Sequence, residues 1–311
     1  MSHLRYLVNS ITKLQLNANR APILKFSTSV SDVDYFKKLQ GSSSEVILDK
    51  SRSDKISVIA MNRQSNKNAL SESFVNDLKA AYTELHNDQE SRAVVICSLV
   101  KNVFCAGADL KERAKIPNKE VSALVGGLRS SFQQLNDLPM PVIAALDGHA
   151  LGGGLEMALA CDLRYATDNP KMKFGLVESH WALLPGAGGS QRLPRIIGRA
   201  KALELMFLAK TISGPEALRY GLVNGVAKQE DCPLPEMSAA LTALKAAKEI
   251  SKNGPIAIRM IKKAVHIGLS MPLMEGLELE GQCYDVVIPT KDRKEGMQAF
   301  AEKRAPIYVG E

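Results

Sequence analysis

The spacing of apolar residues changes along the chain, and each change predicts an element. "SEVILDK" and "KISVIAMN" are β-like runs parted by a short Ser/Asp-rich turn, which predicts a hairpin over residues 45–61. In "LSESFVNDLKAAYTELHND" the apolar positions are Leu70, Phe74, Leu78, Ala81 and Leu85, a helical spacing with Ser71 as N-cap. "RAVVICSLV", residues 92–100, is a continuous apolar run of the kind that forms a strand buried on both faces. "KEVSALVGGLRSSFQQLNDL" predicts a second helix, stopped by Pro139 and Pro141, and "VIAALDGHAL" a second buried strand.

This alternation of strand, turn and helix argues for an α/β fold with its site on the loops that follow strands. From about residue 198 the pattern becomes helical almost throughout, with one short strand predicted within "GLVNGVA". No low-complexity linker separates the two parts. Residues 45–311 therefore read as one continuous domain whose helical section is available for subunit assembly.

Charge changes the picture at one end only. Residues 1–31 carry Arg5, Lys13, Arg20 and Lys25 and no acid, so subtracting those four from the net +7 leaves +3 for the rest. An acid-free, Ser/Thr-containing basic leader predicts a mitochondrial transit peptide over residues 1–31, delivery to the matrix, and a flexible lead-in over 32–44. No apolar run approaches the roughly 20 residues that would span a bilayer. The five cysteines are odd in number and scattered, which fits reduced thiols better than a disulfide framework. No HExxH, EF-hand or paired Cys-x-x-Cys motif asks for a metal.

Three segments hold candidate chemistry, each where a strand should hand over to a helix. In "FCAGADLKERAK" the residues Cys105 to Ala108 are all small and leave the backbone accessible. In "HALGGGLEMALACD" three glycines precede Glu156; they serve either tight packing or the approach of a ligand to bare N–H groups. Two backbone donors from two such turns are the ingredients of an oxyanion hole. In "FGLVESHWALLPGAGGSQRLPR", Glu178 stands in an apolar run, followed by a second small-residue turn over Gly186 to Gly189. Apolar surroundings raise a carboxyl pKa, and two carboxyls held in opposite protonation states make an acid and a base. His149 and His180 lie near these segments, but no spacing suggests a Ser-His-Asp triad.

Taken together, "NRQSNKNAL", "FCAGADLKE", "GHALGGGLEMALACD", "FGLVE", "LLPGAGGSQRLPR" and "EGMQAFAEKR" resemble the enoyl-CoA hydratase/isomerase (crotonase) superfamily in family order, from about residue 45 to the end. The resemblance implies a spiral of ββα units with a helical C-terminal section that builds homotrimers or homohexamers. It implies an acyl-CoA substrate, with coenzyme A as part of that substrate and no separate cofactor. By motif, Ala108 and Gly153 would hold the thioester oxygen, and Glu156 and Glu178 would be the catalytic carboxylates. Lys67, Ala69, Ala106, Gly107, Asp109, Leu110 and Lys111 would line the coenzyme A groove, and Phe300 with Lys303 would reach the coenzyme A of an adjacent subunit.

Both glutamates being present favours hydratase over isomerase, since isomerases of this superfamily tend to keep one. Within it the motifs look closest to mitochondrial members acting on 3-methylglutaconyl-CoA in leucine breakdown; general short-chain enoyl-CoA hydration is the alternative. Two features stand apart from the family pattern. Here 22 positions separate Glu156 from Glu178, two more than usual, and the extra residues are expected in the "TDNPKMK" turn. One member also binds AU-rich RNA, a property linked to a lysine-rich segment corresponding to residues 67–81. This chain keeps Lys67 there but has Glu72, Asn76 and Ala80 where lysines are expected, which weakens phosphate binding.

Overall fold

The computed structural model describes residues 30–109, 112, 114 and 116–311, so all but the last two residues of the predicted leader lie outside it. In chain order the strands are β1 (Val46–Asp49), β2 (Ile56–Met61), β3 (Ala93–Ser98), β4 (Val103–Cys105), β5 (Val142–Leu146), β6 (His149–Leu151), β7 (Leu163–Thr167), β8 (Phe174–Gly175) and β9 (Gly225–Ala227). The helices are α1 (Val30–Gln40), α2 (Glu72–His86), α3 (Asn118–Asn136), α4 (Gly153–Leu159), α5 (Gly189–Ile197), α6 (Arg199–Phe207), α7 (Gly214–Arg219), α8 (Ser238–Ser251), α9 (Pro255–Gly268), α10 (Leu273–Val287) and α11 (Lys291–Glu302).

The expected hairpin pairs β1 with β2 antiparallel, Val46 opposite Met61. Every later pairing is parallel, in two sheets ordered β1-β2-β3-β5-β7-β9 and β4-β6-β8. The chain thus visits the large sheet, then the small sheet, then a helix, and repeats. That is the ββα spiral. Continuous apolar runs form the central strands because both faces are covered. Ile59, Met61, Val94, Ile96, Val142 and Ala144 enter one core with α2 and α3. Ile56, Val58, Ala93, Val95, Ile143 and Ala145, one residue out of phase, enter a second core with α8. Ser71 caps α2 as its position predicts, accepting a hydrogen bond from the Phe74 N–H at 3.3 Å.

The 32–44 segment is not a flexible lead-in over its first part. It belongs to α1, which buries Val33, Phe36 and Leu39 in the second core beside α8. Its Asp32 pairs with Lys248 of α8 at 2.7 Å and with Arg52 at 3.2 Å. Three apolar residues at i, i+3 and i+6 among charged neighbours are a short signal, and the partner that makes them a helix lies some 200 residues away. Phe36 is wholly buried, so Phe36→Ala is expected to cost about 3–5 kcal/mol. A lower denaturant midpoint at unchanged slope would show it; an unchanged midpoint would mean that α1 is not part of the folded unit.

The helical section behaves differently from the body. α9 and α10 pack on each other yet keep Ile261, Val265, Leu269, Leu273 and Met274 exposed. Among the described residues no helix is long and apolar enough to cross a membrane.

Candidate active site

The first wall of the site is built by Asn68. This buried side chain donates to Ser98 Oγ at 2.8 Å and to the Phe104 carbonyl at 2.9 Å, and its Oδ1 accepts from the Arg63 N–H at 2.8 Å. It pins a turn in which Lys67 and Asn68 both have φ of 53°. The Ala106 N–H then donates to Lys67 O at 3.1 Å, and the Leu70 N–H to Gly107 O at 2.8 Å. Leu70 and Ala108 form a parallel bridge that uses Gly107 O and the Asp109 N–H. Pleat geometry therefore turns the Ala108 N–H to the opposite side. The Asp109 carboxylate accepts from Asn66 Nδ2 at 3.2 Å and lies 3.7 Å from Arg63, which ties the two turns together.

The glycine triplet forms the second wall. Gly152 donates to Gly175 O at 2.9 Å, and α4 begins at Gly153. A Cβ on Gly154 would lie 2.3 Å from Cys105 O, so only glycine lets α4 sit against β4. Gly107, at φ +93°, is held as close: a Cβ there would lie 2.7 Å from Leu151 O and 3.5 Å from the Gly153 nitrogen. Both readings of the triplet are thus true. Gly154 packs, and Gly153 faces the cleft next to Ala108. Among the described residues neither the Ala108 nor the Gly153 N–H has a hydrogen-bond acceptor.

Glu156 lies one turn into α4, 4% exposed, and its Oε1 accepts from the Ala187 and Gly189 N–H groups at 2.8 Å each. That is the task of the "PGAGG" turn. Arg129 of α3 donates Nε to Gly186 O at 3.0 Å, and Arg192 of α5 donates Nη1 to Ala187 O at 3.3 Å and Nη2 to Gln133 at 2.9 Å. Burial pushes the Glu156 carboxyl above its ordinary range, opposed by those two N–H groups and by the charges of Arg192 and Arg129.

Glu178 opens a short 3₁₀ turn, Glu178–Trp181, after β8. The "TDNPKMK" stretch runs from the end of β7 into the turn before β8, and β8 pairs in register with β6, Ala150 opposite Phe174. Glu178 therefore stays in the site. A Cβ on Gly152 would stand 3.2 Å from Glu178 Oε1, so this carboxylate lies over the start of the glycine triplet. Ala106, Gly107, Ala108, Gly153, Glu156 and Glu178 line one cleft, with Val125, Leu128, Val177, Trp181, Leu183 and Leu184 as its apolar walls.

Not every expected residue meets there. Leu110 and Lys111 lie outside the described residues. Lys67 is exposed on the first turn, with Ala69 beside it. Phe300 is 87% exposed on α11 and, like Lys303, takes no part in lining this cleft. Trp181 and Leu183 shape the pocket, whereas exposed His180 rests edge-on against Trp181 at 5.0 Å between ring centroids. Among the described residues no three His, Cys, Asp or Glu side chains cluster as metal ligands would. Sequence reasoning missed Asn68, Arg129, Arg192 and the Ala187 and Gly189 N–H donors. The "NKN" stretch and a second glycine-rich turn were the only signals in the sequence.

Comparison with known proteins identifies the family. Residues 51–311 match the family model for enoyl-CoA hydratase/isomerase. The chain is 47% identical over 257 residues to the human mitochondrial methylglutaconyl-CoA hydratase, covering 82% of this chain and 74% of that one. It is 48% identical over 256 residues to the mouse mitochondrial enoyl-CoA hydratase domain-containing protein 2, covering 82% and 84%. The crystal structure of an enoyl-CoA hydratase from Bacillus anthracis superposes with a TM-score of 0.80 at 41% identity, over 86% of this chain and all of that one. The chain belongs to the enoyl-CoA hydratase/isomerase family.

Proposed function

We propose that this protein hydrates 2-enoyl-CoA thioesters. One observation carries the reading: two carboxylates share a single cleft with two backbone N–H groups that have no acceptor among the described residues. Adding water at C3 of an enoyl thioester moves negative charge onto the thioester oxygen. Fixed N–H donors at Ala108 and Gly153 favour that enolate-like state, each worth about 2.7–4 kcal/mol in comparable sites. One carboxylate takes the proton of the attacking water while the other holds that water and delivers a proton to C2. Glu156 and Glu178 line the same cleft, so acid and base are assigned to the two together and not to one each. The addition is redox-neutral, and coenzyme A enters as part of the substrate.

For the acyl chain we favour 3-methylglutaconyl-CoA, because the human relative is named for it and the apolar walls suit a branched chain. The comparison with crotonyl-CoA decides. Faster loss of enoyl absorbance with 3-methylglutaconyl-CoA supports this substrate; a preference for crotonyl-CoA makes the protein a general short-chain hydratase. The exposed apolar faces of α9 and α10 support a homo-oligomer, trimer or hexamer, in which Phe300 and Lys303 serve a neighbour's coenzyme A. The basic leader, together with the mitochondrial relatives, supports residence in the mitochondrial matrix.

A further inference from the structure

Helix α3 does more than wall the cleft with Val125 and Leu128, because guanidinium bonds tie it to the loop that holds Glu156. Arg192, half-buried on α5, makes the longer tie. Its N–H donates to Gly188 O at 2.8 Å and its Nη1 to Ala187 O at 3.3 Å, so one residue holds the loop twice. The guanidinium is pressed onto Gly188, where a Cβ would stand 2.1 Å from Nη1. Gly188 lies between Ala187 and Gly189, whose N–H groups hold Glu156 Oε1. Through Nη2, Arg192 donates to Gln133 Oε1 at 2.9 Å, and Gln133 Nε2 donates to Asp137 at the end of α3 at 2.8 Å. A chain of bonds thus runs from Asp137 through Gln133 and Arg192 to the loop, and from the loop to the carboxylate.

We propose that Arg192 is a positioning residue for Glu156, bracing the Ala187–Gly189 loop from α3 and setting a fixed positive charge near the buried carboxylate. The inference rests on the hydratase reading and adds a residue to the machinery of the same site. Brace and charge act separately. The bond to Gln133 fixes the guanidinium, and the fixed guanidinium steadies the two N–H donors on Glu156. Burial pushes the Glu156 carboxyl up, and the Gly189 and Ala187 N–H groups, then the charges of Arg192 and Arg129, oppose it. Among the described residues the charged groups around Glu156 are Arg192 from α5, Arg129 from α3 and Glu178 from the 3₁₀ turn, with Asp137 in the field of Arg192. The thiols of Cys105 on β4 and Cys161 after α4 are pushed up to about 12 by burial and stay neutral. Removing the Arg192 charge therefore leaves the carboxyl higher still, with more of it protonated at neutral pH. Removing the brace alone leaves that balance in place.

The test measures kcat and KM for crotonyl-CoA against pH on the full chain, as wild type, Arg192→Met, Arg192→Lys and Gln133→Leu, beside melting curves. Arg192→Met is expected to lower kcat at neutral pH about 10- to 100-fold with KM nearly unchanged. Its low-pH limb, which belongs to the carboxyl pair, should move to higher pH, so that part of the loss returns in alkaline buffer. Arg192→Lys keeps the charge without the fork, and Gln133→Leu keeps the charge without the brace. Each should lose kcat by only about three- to tenfold, with the limb where wild type has it. Wild-type kcat in Arg192→Met, or a loss equal at every pH, overturns the proposal. Unchanged kcat in Gln133→Leu overturns it as well, and this change at an exposed residue keeps the test open should the methionine variant fail to fold. Wild type that hydrates no crotonyl-CoA at any pH overturns the hydratase reading itself.

Discussion

Glu156→Gln and Glu178→Gln are each expected to lower kcat for enoyl-CoA hydration by a factor of ~10²–10⁴, the range for removing a positioned proton-transfer group. The glutamine side chain keeps the shape of the carboxyl, and at position 156 its carbonyl oxygen can still accept from Ala187 and Gly189. What it loses is the ability to take or give a proton. KM should change little, because neither carboxylate is needed to hold coenzyme A. The double variant should be scarcely worse than either single one, since both groups act on one water. Steady-state rates with crotonyl-CoA, beside melting curves that show intact folding, check this. Near-normal turnover in Glu178→Gln would reduce the site to one working carboxylate and contradict the paired mechanism.

Ala108→Pro is the second change of large expected effect. Proline removes an N–H that has no acceptor among the described residues, and melting curves check that its fixed φ and its restriction of Gly107 leave the turn folded. Loss of one oxyanion donor should cost ~10²–10³ in kcat. Ala108→Gly retains the donor and should stay within a few-fold of wild type. The pair of variants separates the N–H from the side chain. If proline at 108 folds and turns over normally, the thioester oxygen is held elsewhere.

How much of this was legible in the sequence differs from one element to the next. The strands over 93–98 and 142–146 were plain, because a parallel sheet covered on both faces demands unbroken apolar runs. The glycine triplet and Glu156 were legible for a related reason: close backbone approach leaves few residue types possible. α1 was not legible. Its three buried positions become a helix only against α8 and the Asp32 pair, contacts that no local window contains. The same holds for Arg129 and Arg192, each of which reads as an ordinary solvated charge until the fold brings it against the loop that orients Glu156. Asp, Asn and Pro mark residues 168–173 as a turn in the sequence, but only the β6–β8 register and the shared cleft show that the Glu178 carboxylate keeps its place.

The central claim is water addition by the carboxylate pair, and its most direct test is crotonyl-CoA incubated with the wild-type protein in water labelled with ¹⁸O and deuterium. The expected result is loss of enoyl absorbance with one labelled oxygen at C3 and one deuterium at C2 of the product. Unchanged absorbance, or exchange of deuterium without uptake of labelled oxygen, would contradict it.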